Sequence, residues 1–130
     1  MHQTLRIVHA EESALVRERV KTLLLELPDV EVIGEATEAR EVEEVIQARQ
    51  PDVLILDIDL PGSGLWVLSR VTRDWPAILV IVFTNQASDD YRRICLKAGA
   101  GFFFDKSYEF LEMAGTVDRV RRQLLQSSDS

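Results

Sequence analysis

The sequence predicts an α/β fold in which five parallel strands form one sheet with helices around it. Short apolar runs alternate along the chain with longer segments whose apolar residues recur at helical spacing, which is typical of repeated βα units. The chain has 130 residues, enough for one domain with a single core. We therefore expect one domain, residues 1–125, followed by a C-terminal tail or linker stub, residues 126–130.

The predicted strands are short runs of mostly apolar residues, and two of them contain almost nothing else. In chain order they are residues 5–10, 30–36, 53–57, 77–84 and 102–104. The third and fourth are apolar enough to be covered on both faces, so we expect them at the centre of the sheet.

Five stripes of apolar residues at helical spacing lie after the strands. They begin at Leu15, Val42, Leu65, Tyr91 and Phe110. Four hydroxyl residues near the helix starts are candidate N-caps, namely Ser13, Thr37, Ser88 and Ser107.

Composition excludes several classes of function. The formal net charge is −7, which opposes attraction to nucleic acid phosphates and to anionic membrane surfaces. We therefore expect no direct nucleic acid binding. We also expect no membrane association, because no apolar run approaches the roughly 20 residues that span a bilayer. Cys95, the only cysteine, lies in a helical pattern and is expected to be a buried thiol. These features favour a cytoplasmic protein.

Polar side chains follow four of the five predicted strands. They are Glu11 and Glu12 after the first, Asp57 at the end of the third, Thr84 at the end of the fourth and Lys106 after the fifth. Each alone is ordinary, since acids are common in the first turn of a helix. The carboxyl ends of parallel strands meet at one edge of a sheet, where ligands bind. Together these residues predict a site built around a carboxylate.

This set resembles the receiver domain of two-component response regulators, from about Arg6 to Val120. The resemblance rests on Ala10-Glu11-Glu12-Ser13, Leu54-Ile55-Leu56-Asp57-Ile58-Asp59-Leu60-Pro61-Gly62, Val82-Phe83-Thr84-Asn85 and Ala98-Gly99-Ala100-Gly101-Phe102-Phe103-Phe104-Asp105-Lys106-Ser107. It implies a flavodoxin-like, doubly wound (βα)5 fold with the strand order 2-1-3-4-5.

The resemblance also implies the chemistry of the site. Asp57 would be the phosphoacceptor, with a phosphohistidine on a sensor histidine kinase or phosphotransfer protein as the donor. Mg²⁺ would be the cofactor, held by Glu11, Glu12, Asp57 and the main-chain carbonyl of Asp59. The domain would catalyse at most its own phosphorylation and dephosphorylation, and we do not expect a metabolic enzyme.

Two further roles follow from the same resemblance. Lys106 would pair with a phosphoryl oxygen, while Thr84 would donate its hydroxyl to another. Thr84 and Phe103 would then act as a switch on the surface of the fourth helix, fifth strand and fifth helix, where the family forms homodimers or binds partners. The simpler interpretation of Phe103 is that residues 102–104 alternate across a buried strand.

Two other functions stay open. Glu12 stands where the family usually has Asp, and Mg²⁺ tolerates poor geometry badly, which favours a pseudo-receiver that binds partners without phosphorylation. More remotely, Leu56-Asp57-Ile58-Asp59-Leu60 resembles the motif of haloacid dehalogenase-like phosphatases, although those enzymes carry it on the first strand. Too few residues follow the fifth helix for an output domain, so the chain is either a stand-alone receiver or the first part of a longer protein.

Overall fold

The computed structural model describes the backbone of residues 3–128 and the side chains of residues 3–124. Within them, five strands and five helices alternate. The strands are β1 (Leu5–Ala10), β2 (Val30–Ala36), β3 (Val53–Leu56), β4 (Leu79–Thr84) and β5 (Phe102–Asp105). The helices are α1 (Ala14–Leu24), α2 (Ala39–Arg49), α3 (Gly64–Asp74), α4 (Asp89–Lys97) and α5 (Phe110–Ser128).

The described strands form one parallel sheet in the order β2-β1-β3-β4-β5. This confirms the predicted fold class and strand order. All four residues of β3 are buried, as expected for the central strand. The chain leaves β1 toward β2 on one side and returns to β3 on the other, so a crevice opens between the carboxyl ends of β1 and β3. Ala10 pairs with Leu56 at this point.

Helices cover both faces of the sheet and create two apolar layers. The α1 and α5 side is filled by residues such as Val20, Leu24, Ile55, Phe83, Met113 and Val117. The other side, under α2, α3 and α4, contains residues such as Val42, Ile46, Leu54, Leu68, Val82 and Cys95. Cys95 is buried as predicted, and burial raises the pKa of its thiol.

Two of the predicted caps are confirmed. The Ser13 hydroxyl oxygen accepts a hydrogen bond from the Val16 amide at 3.2 Å, and Ser88 accepts one from the Tyr91 amide at 3.2 Å. These bonds satisfy amide groups that have no partner within the first turn of α1 or α4. Ser13 therefore fixes where α1 begins, directly after the two glutamates of the predicted site.

The other two predicted caps are wrong. The N-cap of α2 is Glu38, which forms a capping box with Glu41. Glu41 accepts hydrogen bonds from the amide and the hydroxyl of Thr37, both at 2.8 Å, so Thr37 donates where a cap would accept. Helix α5 starts three residues after Ser107, whose hydroxyl donates to Asn85 Oδ1 at 3.0 Å instead.

Three strand ends differ from the predicted bounds. β3 ends one residue before Asp57, because the Asp57 carbonyl oxygen accepts from the Leu60 amide at 3.1 Å and so begins a turn. β4 begins at Leu79, two residues later than predicted, and β5 continues to Asp105. The Asp57 carboxylate thus stands on a loop directly after the central strand.

The C-terminal helix is longer than the sequence indicates. It continues to Ser128, through residues that were predicted as a tail or linker stub, and residues 129–130 lie outside the described residues. None of the helices in residues 3–128 is long and apolar enough to cross a membrane.

The first turn of α3 lies directly against the loop that carries Asp57. A Cβ atom at Gly64 would lie 2.4 Å from the Ile58 Cα and 2.5 Å from the Asp57 carbonyl oxygen. Because no side chain fits at that distance, only glycine permits this approach of the two backbones. The short connection from β3 to α3 therefore holds the Asp57 loop against a helix.

Candidate functional site

Four buried polar side chains meet at the carboxyl edge of the sheet. Glu11 follows β1, Asp57 follows β3, Thr84 ends β4 and Lys106 follows β5. The crevice between β1 and β3 brings the two acids together, and β4 and β5 add the hydroxyl and the ammonium group. The structure thus assembles one cluster of two acids, a hydroxyl and a lysine from four separate strand ends.

Both carboxylate oxygens of Asp57 are hydrogen-bonded. Oδ1 accepts from the Thr84 hydroxyl at 2.8 Å and from the Asp59 amide at 3.0 Å. Oδ2 accepts from Lys106 Nζ at 2.7 Å. The carboxylate therefore has a fixed orientation, and its charge is balanced by a buried ammonium group.

Lys106 bridges the two buried acids. Its Nζ lies 2.6 Å from Glu11 Oε1 and 2.7 Å from Asp57 Oδ2. Burial lowers the pKa of Lys106, but the hydrogen bonds to Asp57 and Glu11 outweigh burial and hold the pKa above its ordinary value. Lys106 is therefore positively charged at neutral pH and serves both carboxylates.

The two adjacent glutamates lie in different environments. Glu11 is buried, and its Oε2 accepts from the Ser13 amide at 2.9 Å. The side chain of Glu12 is exposed, so of this pair only Glu11 lies in the cluster. Arg17 Nη1 donates to the main-chain carbonyl oxygens of both glutamates at 2.8 Å. Sequence reasoning did not identify Arg17, because contacts to main-chain carbonyls have no motif.

A second set of contacts extends from Thr84 toward α4. The Thr84 hydroxyl oxygen also accepts from the Gln86 amide at 3.2 Å. Phe103 is buried, and Arg92 of α4 lies over its ring, 4.9 Å from the centroid. Arg92 also donates to the Phe103 carbonyl oxygen at 3.2 Å and lies 3.9 Å from Glu109. The contact of Arg92 with Phe103 was not predicted, although a cation one turn after the α4 cap could have indicated a contact with β5.

The three consecutive phenylalanines alternate across β5. Phe103 belongs to the core under α2, α3 and α4, whereas Phe102 and Phe104 pack on the opposite face with their rings 6.3 Å apart. The alternation expected of a buried strand is therefore present. It places Phe103 on the same side of the sheet as Arg92.

The donors at this site fit a small, hard cation. Glu11 and Asp57 approach the same Lys106 nitrogen, so their oxygens can also reach one common ion. Among the side chains of residues 3–124, no three acids, histidines or cysteines converge closely enough to bind a metal by themselves. Mg²⁺ does not need such a cage, because it usually takes one or two carboxylates and keeps waters.

A buried histidine lies on β1 below the cluster. Desolvation, with further contributions from Lys106 and Arg17, lowers the pKa of His9 from 6.5 to about 3. His9 is therefore neutral at physiological pH. Its burial makes it a packed residue of the strand.

The position of Asp57 differs from that in haloacid dehalogenase-like enzymes. It follows the third strand of the chain, whereas the motif of those enzymes lies on the first. The side chain of Asp59, which would be the acid or base, is exposed, and its amide donates to Asp57. The geometry gives this alternative no support.

Comparisons with known proteins agree with the geometry. A family model described as the response regulator receiver domain matches residues 7–118. A protein-glutamate methylesterase/protein-glutamine glutaminase of Alkalilimnicola ehrlichii is 34% identical over 122 residues, which make up 92% of this chain and 30% of that protein. The chain covers between 23% and 36% of six such methylesterases.

Solved structures show the same architecture. The response regulator domain of Thermotoga maritima CheB is 25% identical, with a TM-score of 0.81 over 93% of this chain and 96% of that one. The signal receiver domain of the putative response regulator NarL from Mycobacterium tuberculosis is 28% identical, with a TM-score of 0.82 over 92% of this chain and 98% of that one.

Proposed function

Since the chain belongs to the family of response regulator receiver domains, we propose that Asp57 is its phosphoacceptor. Receiver domains interact with histidine kinases or phosphotransfer proteins, and one of these would supply the phosphoryl group from a phosphohistidine. The observation that carries the proposal is the set of hydrogen bonds from Thr84 and Lys106 to the two oxygens of Asp57.

The transfer is a displacement at phosphorus. A carboxylate oxygen of Asp57 forms the new O–P bond while the P–N bond to the donor histidine breaks. The imidazole takes the electron pair of that bond and leaves neutral when its other ring nitrogen carries a proton. The Lys106 ammonium group gives up its hydrogen bond to a carboxylate, donates to a phosphoryl oxygen instead and balances the negative charge of the phosphoryl group. The Thr84 hydroxyl turns from Asp57 to a second phosphoryl oxygen.

Mg²⁺ is the proposed cofactor, because receiver domains generally bind it at their acidic pocket. Glu11, Glu12, Asp57 and the main-chain carbonyl of Asp59 would hold it. When bound, it supplies positive charge against the oxygens of the transferred group. Glu11 is already oriented for this role by the Ser13 amide.

The output of the domain is proposed to be a change of its α4–β5–α5 surface. Thr84 moves toward the phosphoryl group, and Phe103 follows into the space that it leaves. The surface carries exposed apolar side chains, among them Ile94, Leu96 and Tyr108, which supports a homodimer or a partner protein as its target. The net charge of −7 speaks against direct nucleic acid binding by this domain. The reduced thiol of Cys95 fits action in the cytoplasm.

The proposal is tested by intact-mass analysis after incubation with Mg²⁺ and acetyl phosphate. We expect one added phosphoryl group that hydroxylamine removes, and no addition in Asp57→Asn. Asp89→Asn is the matched control, because its side chain is exposed and the residue lies outside the proposed site. Labelling of Asp57→Asn equal to the parent would contradict the assignment.

The pseudo-receiver remains the second candidate because the Glu12 side chain is exposed, away from the buried acids. It predicts that neither the parent nor Glu12→Asp binds Mg²⁺ or gains a phosphoryl group. Labelling of the parent at Asp57 would exclude it.

A further inference from the structure

We propose that Arg17 is a positioning residue for the metal-binding acids: it fixes the backbone of residues 11–13, hereafter the acid loop, and thereby sets the cation affinity of the site. The inference rests on the proposed function of Asp57 and extends it to a residue outside the cluster. No atom of Arg17 contacts Asp57 or Lys106 in the contacts described above, so any positioning of the acids by Arg17 passes through the acid loop.

The acid loop is anchored on each side. The Glu11 amide donates to the Ala36 carbonyl oxygen of β2 at 2.9 Å, which joins the start of the loop to the sheet. The Ser13 amide donates to the Glu11 carboxylate at 2.9 Å. The carbonyl oxygens of Glu11 and Glu12 both accept from Arg17 Nη1 at 2.8 Å. Arg17 therefore determines the orientation of two successive peptide groups, and the Glu12 side chain leaves the chain between them.

The shape of the guanidinium group allows this contact. Nη1 faces the two carbonyl oxygens while Nε lies 3.8 Å from Glu35 Oε2 on β2. Lys21 Nζ lies 3.7 Å from the same Glu35 oxygen, so Glu35 faces two cations of α1. The Arg17 side chain is only 19% exposed. A lysine at position 17 would keep the charge. Its single nitrogen could not face the two carbonyl oxygens and the Glu35 carboxylate at once, as the planar guanidinium group does.

Arg17 can act on a bound cation in two opposite ways. Its positive charge is felt at the strand ends, since it helps to lower the pKa of His9, and such a charge repels a divalent cation. Its hydrogen bonds instead hold the acid loop ready for the cation. Outer residues that orient metal ligands typically change metal affinity about 10- to 100-fold when they are replaced. Two carbonyl contacts at 2.8 Å favour the positioning effect over repulsion by a partly exposed charge.

The experiment compares Mg²⁺ affinity by calorimetric titration for the parent, Arg17→Lys, Arg17→Gln and Lys21→Gln. Lys21→Gln is the matched control, because it removes a positive charge that faces the same glutamate but contacts no acid-loop carbonyl in the hydrogen bonds of residues 3–124. We expect both Arg17 variants to raise the Kd about tenfold. Lys21→Gln should leave the Kd unchanged or slightly lower it.

A second measurement separates positioning from general loss of structure. At saturating Mg²⁺, the rate of Asp57 labelling in Arg17→Lys should return to that of the parent, and its thermal unfolding should remain cooperative. Parental affinity in Arg17→Lys together with tighter binding in Arg17→Gln would show that only charge matters and would overturn the inference. Equal weakening by Lys21→Gln would overturn it too. Absence of labelling at Asp57 in the parent would contradict the proposed function, whereas the Mg²⁺ affinities test the role of Arg17, so the two failures are distinguishable.

Discussion

The guanidinium carbon of Arg92 lies 4.9 Å from the centroid of the Phe103 ring, and the same group donates a hydrogen bond to the Phe103 carbonyl oxygen. One side chain of α4 thus contacts the ring and the backbone of a single β5 residue. Glu109, 3.9 Å from Arg92, adds a carboxylate from the segment that precedes α5. The inward position of Phe103 is therefore stabilised by residues of two neighbouring segments.

The first prediction concerns this contact. Arg92→Ala should lower the free energy of unfolding by about 1 kcal/mol, because a cation–π contact over a buried ring is lost. It should also increase the mobility of the Phe103 ring in NMR spectra. Arg93→Ala is the control, since Arg93 is exposed and pairs only with Asp90 among the ion pairs described here. An equal loss of stability in both variants would indicate a general effect on α4.

The second prediction concerns Lys106. Lys106→Met should destabilise the fold by about 3 kcal/mol at pH 7, because Glu11 and Asp57 would be left buried without their shared cation. Urea unfolding is the measurement, and Lys97→Met, at the exposed end of α4, should change stability by less than about 0.5 kcal/mol. Since the folded-state pKa of Lys106 is raised above 10.5, its contribution is complete at neutral pH and is lost only as the pH rises through that folded-state pKa. Parental stability of Lys106→Met at pH 7 would contradict the bridge.

The third prediction is a pH dependence that comes from His9. Its pKa is about 3 in the folded protein and 6.5 in the unfolded chain, so below pH 6.5 only the unfolded chain takes up the proton. The contribution of His9 to the free energy of unfolding should fall by about 1.4 kcal/mol for each pH unit between 6.5 and about 3. His9→Gln should flatten this part of the curve. Parallel curves for the two proteins between pH 6.5 and 4.5 would show that His9 becomes protonated in the fold.

The fourth prediction concerns Glu12. Its exposed side chain must fold back to reach a metal next to Asp57, and a longer side chain loses more rotamer freedom in doing so. We expect Glu12→Asp to tighten Mg²⁺ binding and to speed phosphorylation, and Glu12→Gln to weaken both. Glu18→Gln, an exposed acid of α1, controls for the loss of one negative charge. If Glu12→Gln binds Mg²⁺ as the parent does, Glu12 is not a ligand.

The fold and the four clustered residues could be predicted because both depend on local pattern. An apolar run that ends in Asp57 or Thr84 marks a strand end, and in a parallel sheet all such ends share one edge. The resemblance then supplied the strand order that brings Glu11 next to Asp57, which the structure confirms.

The contacts of Arg17 and Arg92 could not be predicted in this way. Arg17 reaches main-chain carbonyls, which every residue carries, so no residue type in the acid loop indicates that a guanidinium group binds there. Arg92 contacts Phe103 because of the position and orientation of α4 relative to β5. These depend on the packing of all the helices on that face of the sheet. The cap of α2 was missed for a similar reason. The Glu41 carboxylate accepts hydrogen bonds from Thr37, and whether Thr37 or Glu38 caps the helix depends on side-chain geometry.

The close backbone contact at Gly64 has a consequence for the fluorescence of Trp66. The backbone at the start of α3 is in direct contact with the backbone of Asp57 and Ile58, so we expect a displacement of Asp57 to move the first turn of that helix. Trp66 lies two residues further on, with 48% of its surface exposed. If Asp57 is phosphorylated as proposed, the wavelength and intensity of Trp66 fluorescence should therefore change without any attached dye.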